Sequence, residues 1–126
     1  MSAPDLRLEA REAMRVDGMW RVQWRVTNAS GDHVRLLAVR APHPAFRSEP
    51  QELNALVIES ASFEQAVSVE GEPGADIENA FVIFVAVKDR ETWRVLFRVR
   101  VHLGPDGTPA PQVEAASTHR IALPEV

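Results

Sequence analysis

The chain lacks cysteine and tyrosine altogether and has one lysine, Lys88, among its 126 residues. Without cysteine there can be no disulfide, no thiolate zinc site and no cysteine nucleophile. Long apolar runs are missing too. The longest, 80–87, spans eight residues, where a membrane-spanning helix needs about twenty. The start, Met1-Ser2-Ala3-Pro4-Asp5-Leu6-Arg7-Leu8-Glu9, has no basic segment leading into an apolar one, so it does not read as a secretory signal. A soluble, cytoplasmic protein without membrane contact is the expectation. Catalytic signatures are equally scarce. No serine lies in a Gly-x-Ser-x-Gly elbow or a Ser-x-x-Lys box. The glycine-bearing stretch Gly71-Glu72-Pro73-Gly74 is acidic and would repel phosphate, so it reads as a turn. No internal repeat or low-complexity segment occurs, and no helix of ten or more residues is indicated.

What is present is periodicity of two. Trp20, Val22, Trp24 and Val26 alternate with Arg21, Gln23, Arg25 and Thr27, the pattern of a half-buried strand. A turn-forming cluster, Asn28 to Asp32, leads into an apolar strand at 34–40, and the pair reads as a hairpin. Residues 80–88 are apolar on both faces, as suits a central strand, with Lys88 placed in the following turn. From Trp93 to Leu103 the alternation is unbroken: Trp93, Val95, Phe97, Val99, Val101 and Leu103 on one face, Arg94, Leu96, Arg98, Arg100 and His102 on the other. After the turn Gly104-Pro105-Asp106-Gly107, residues 112–123 supply a weaker closing strand. Segments 6–11 and 63–69 read as further strands. Residues 41–62 open with Ala41-Pro42-His43-Pro44 and are the least regular; 52–58 fits either a helical turn or a short edge strand.

These features predict one all-β domain over residues 1–126: an antiparallel β-sandwich of about seven strands, with a small jelly roll or closed barrel as the alternative. The Val26-Thr27-Asn28 strand end with its Ser-Gly-Asp turn resembles the B–C region of immunoglobulin-like and fibronectin-like domains. Pro73-Gly74 before the Phe81 strand, and the closing meander, are similar to their strands E, F and G. The Cys-Trp-Cys arrangement and the tyrosine corner of antibody domains are absent. The resemblance implies an immunoglobulin-like sandwich and implies no particular activity.

The chemistry-bearing residues allow three readings. The first is a non-enzymatic interaction module that binds a protein partner or a second copy through a sheet face or edge, with Arg94, Leu96, Arg98 and Arg100 as the contact surface, because arginine beside an apolar residue suits protein interfaces. The second is an ion- or small-ligand-binding domain using the acidic loop 70–78, with Glu70, Glu72, Asp76 and Glu78 as candidate Ca²⁺ ligands, although the calcium-loop register is missing. The third is a catalytic or metal pocket formed by His102, His119 and Glu114 across the last hairpin. The first is preferred, with no cofactor. Trp20, Trp24 and Trp93 share parity with apolar neighbours and read as core.

Charge is unevenly spread. There are 14 basic and 18 acidic residues, for a net charge of −4. Residues 48–87 hold eight acidic side chains and no basic one, between flanks that are mildly basic. Such unevenness suits electrostatic complementarity with a partner and speaks against nucleic acid as the ligand.

Overall fold

The computed structural model describes residues 2–121. They form the strands β1 (Leu6–Val16), β2 (Met19–Asn28), β3 (Val34–His43), β4 (Phe46–Val57), β5 (Ser60–Val69), β6 (Asp76–Lys88), β7 (Glu91–Leu103) and β8 (Pro109–Ile121). All pairings are antiparallel, and one curled eight-stranded sheet runs in the order β1-β2-β5-β4-β3-β6-β7-β8.

Alternation builds the core. On β7, Val95, Phe97, Val99, Val101 and Leu103 point inward and are buried, while Arg94, Arg98, Arg100 and His102 stay exposed. The tight hairpins have a local cause. Asp17-Gly18, between β1 and β2, has φ of 52° and 77°, the paired positive values of a type I′ turn. Asp89-Arg90 joins β6 to β7 in the same way, at 52° and 66°.

The curl comes from a narrow joint. β4 and β5 pair only at Phe46↔Val69 and Arg47↔Ser68. Beyond that point they part, and β1-β2-β5 folds across the rest of the sheet. An aromatic column then spans the interior. Phe63 of β5 meets Phe84 of β6 edge to face, and Phe84 meets Phe97 of β7 likewise, each pair with centroids 5.7 Å apart. Buried polar atoms near the parting are connected in series. Trp24 Nε1 donates to Gln65 Oε1 at 3.0 Å, and Gln65 Nε2 donates to Ser48 Oγ at 3.1 Å. Ser48 Oγ donates to the Glu49 carbonyl at 2.9 Å.

Several expectations change. There are eight strands in one curled sheet, where about seven in a two-sheet sandwich were expected; the curl brings the shape toward the barrel alternative. β2 and β3 form no hairpin: β2 pairs with β1 and β5, and β3 with β4 and β6. The polar cluster after β2 is a bridge between the two halves. Asn28 donates to the carbonyls of Asp32 and Val57, at 2.7 and 3.0 Å, and accepts from the Ser30 amide at 2.9 Å. The irregular stretch 41–62 is the end of β3, all of β4 and the start of β5. It hides its periodicity because β-bulges shift the β3–β4 register twice. Lys88 is no turn residue but the buried last residue of β6, with Nζ 2.8 Å from the Ser2 carbonyl and 3.0 Å from Asp89 Oδ2. β8 begins earlier than expected, at Pro109; residues 122 and 123 of the expected strand lie outside the described residues.

Candidate functional site

The two outer faces of the sheet differ in chemistry. Over β1-β2-β5 the outward positions are polar and in part paired, although Arg7 and Arg25 form no ion pair among the described residues. Arg11 pairs with Glu9 at 3.3 Å, Arg21 with Glu64 at 3.7 Å, and Gln23 donates to Glu64 at 3.3 Å. Over β3-β6-β7 the centre of the face is apolar. The outward positions of β6 are Phe81, Ile83, Val85 and Val87, alternating with the inward Val82, Phe84 and Ala86. Ile83 lies between Arg40 of β3 and Leu96 of β7; Val85 lies between Ala38 and Arg94; Phe81 is beside Arg98.

Among the described residues, Arg40, Arg94 and Arg98 form no ion pair. Ile83 is nevertheless only 7% exposed. Its neighbours shelter it, since arginine stems cover apolar surface while their guanidinium groups stay in water. Two shallow depressions flank this ridge. One, of about 130 Å³, is lined by Ala38, Arg40, Pro50, Ile83, Val85 and Arg94. The other, of about 250 Å³, lies among Phe81, Leu96, Arg98, Ala115 and Ser117.

Arg94, Leu96 and Arg98 therefore share one surface, as their common parity requires. Arg100 is on the same strand face but is engaged elsewhere. Its guanidinium donates to Asp76 Oδ2 at 2.7 Å and stands 3.8 Å from Glu78. Asp76 also meets His102 Nδ1 at 2.8 Å. The Arg100 guanidinium, and secondarily His102, hold the Asp76 carboxyl below its ordinary range. Reciprocally, Asp76 raises Arg100. Asp76 and Glu78 are two apart on β6 and share the face of Arg100 and His102; the register shifts just after them, with Asn79 at φ 57°, and inward positions change from Ile77 to Ala80 and Val82.

The acidic loop residues are not gathered into a cage. Asp76 and Glu78 pair with Arg100, while Glu70 and Glu72 are exposed in the connection before β6. Among the described residues, no group of three His, Cys, Asp or Glu side chains is placed to hold a metal ion. The histidine pocket is dispersed as well. His102 sits opposite Ala110 and His119 opposite Arg94. These positions are eight β7 residues apart, or about 27 Å at roughly 3.4 Å per residue. Glu114 lies at a bulge between them. Of the tryptophans, Trp24 is fully buried, whereas Trp20 and Trp93 are half-buried; the Arg15 guanidinium lies 5.9 Å from the Trp20 ring centroid.

Arg40, Phe81, Ile83 and Val85 belong to this surface and were not singled out from the sequence. Their signal was the double-faced apolar run itself. A strand apolar on both faces needs a cover on each, and only its inner face has one among the described residues. No helix there is long and apolar enough to cross a membrane. No protein-family model matches the chain, and no curated protein or solved structure matches it either.

Proposed function

We propose that the domain is a non-enzymatic interaction module whose outer β3-β6-β7 face binds an acidic segment of a protein partner that also carries apolar side chains. One observation carries this reading: an apolar ridge, Phe81, Ile83, Val85 and Leu96, rimmed by Arg40, Arg94 and Arg98, whose guanidinium groups form no ion pair among the described residues. Arginine is suited to bidentate contact with carboxylates, and interfaces combine such groups with apolar centres. The opposite outer face carries arginines too, but no apolar ridge lies between them.

The test is affinity capture from the native host with the wild-type domain, the Arg94→Glu/Arg98→Glu variant, and an Arg7→Glu control on the other face. Support is a captured protein lost from the double variant, retained by the control and weakened by salt. Identical capture by all three overturns the reading.

The strand order supports an immunoglobulin-like reading of the architecture. β1, β2 and β5 take the neighbouring places of strands A, B and E. β4, β3, β6 and β7 take those of C′, C, F and G, with β8 added at the edge. A β2–β3 link that crosses between halves accords with a B–C connection.

A further inference from the structure

β6 is the middle strand of the open face, and both its edges are taken, one by β3 and the other by β7. A partner that covers this face therefore cannot add a strand to β6. An extended chain laid flat on the face would have to bury amides and carbonyls that find no partner there. It would also point its side chains alternately toward the sheet and away from it, and none to the flanks. A second sheet packs on an apolar floor several strands wide, and here arginines interrupt the rows on either side of β6. A helix satisfies its own backbone and presents side chains to the sheet and to both flanks at once.

The charges lie where such a cylinder would meet them. Each outward residue of β6 has an arginine on one side, and the side alternates. Val87 is opposite Arg35 of β3, Val85 opposite Arg94 of β7, Ile83 opposite Arg40 of β3, and Phe81 opposite Arg98 of β7. Each step is about 7 Å, and the row from Phe81 to Val87 is about 20 Å long, at roughly 3.4 Å per residue. Arg35 donates to Asn54 Oδ1 at 3.2 Å, a neutral acceptor. Like the other three arginines, it forms no ion pair among the described residues. The basic strip ends at β3 and β7. Beyond β3 the next row carries Leu56 and Glu52, and beyond β7 it carries Ala115, Ser117 and His119. The two arginine rows are two strand spacings apart, about 10 Å, which is the diameter of one helix.

We infer that the occupant of this face is an amphipathic helix of the partner, about 14 residues long at roughly 1.5 Å per residue, running along β6. Its apolar stripe lies on the ridge from Phe81 to Val87. Asp or Glu side chains on both sides of that stripe meet Arg35 and Arg40 on one flank and Arg94 and Arg98 on the other. The inference rests on the acidic-partner reading above and narrows it, from an acidic segment to a helix of set length and charge pattern.

The test places a photo-cross-linking benzophenone side chain at Ser117, which is exposed beside Leu96, in the wild type and in the Arg94→Glu/Arg98→Glu variant. Both are shown by melting to be folded, and the segment cross-linked in the native host is mapped by mass spectrometry. That segment is then synthesised with and without a central proline. The expected segment belongs to a protein, has apolar residues at i, i+3 or i+4 and i+7 with Asp or Glu on both sides, and is cross-linked by the wild type alone. Its peptide should gain helical dichroism on binding the domain, and the proline should weaken binding at least about tenfold. A mapped segment of period two overturns the helix and leaves the acidic-partner reading standing. So does a peptide that fails to bind, binds without gaining helix or tolerates the proline. Cross-linking to nucleic acid, equal cross-linking by both forms, or none at all overturns both.

Discussion

Three buried side chains, Trp24, Gln65 and Ser48, show how little freedom a single interior position has. Gln65 is fully buried and satisfies both neighbours. Gln65→Ala should leave an indole N–H without its acceptor, deprive Ser48 of a donor and open a cavity, costing about 3 kcal/mol; urea unfolding measures it. Asp76 makes a different prediction. Its folded carboxyl is held low by Arg100 and then His102. An unfolded aspartate takes up its proton nearer to about pH 4. Between those points the unfolded chain binds more protons, so stability rises with pH. The contribution is present above the unfolded value and is lost as pH falls through the folded one. Asp76→Asn should therefore lose less melting temperature than the wild type on acidification from about pH 5 to about pH 3. Equal losses would show that the cluster does not contribute. Most of this detail was not legible in sequence. Asp76 stood out only as one of four neighbouring acids, and its partners Arg100 and His102 are on another strand.

At the scale of elements, alternation was enough to place β2 and β7, because one-sided burial forces period two, and the apolar run 80–88 marked the central part of β6. It failed where a bulge shifts the phase, as at Ala10/Glu12 in β1, twice in β3–β4, and at Ile77/Ala80 in β6. Each bulge swaps faces midway, so β4 no longer reads as a strand from its residues alone. The β6–β7 turn carries a correctable strain. Arg90 has φ 66°, a left-handed conformation that costs a side-chain-bearing residue about 1–2 kcal/mol. Glycine relieves this at some cost in unfolded-state entropy. Arg90→Gly should therefore stabilise the domain by up to about 1 kcal/mol, measured as a higher urea midpoint with an unchanged slope. By contrast, Asp17-Gly18 already has the residues that its turn demands.

Across the whole molecule, two halves hang on a joint of two residue pairs, yet they share one interior. Phe84 packs against Phe63 from one half and Phe97 from the other. Phe84→Ala should cost about 3–5 kcal/mol, and tryptophan fluorescence and far-UV dichroism should still report one coincident transition. Separate transitions would mean that the halves fold as independent units. The sequence by itself determined the all-β class, the inward and outward faces of β2 and β7, and the shared face of Arg94, Leu96 and Arg98. Those properties depend on neighbours along the chain, and period two records them. Only the tertiary structure decided that β5 pairs with β2, that Arg100 is taken by Asp76 while Arg40 joins the open face, and that His102 and His119 stay apart. These outcomes depend on which strands become neighbours. That choice follows from closing one core around Phe63, Phe84 and Phe97, residues more than a dozen positions apart in the chain, and no local pattern encodes it.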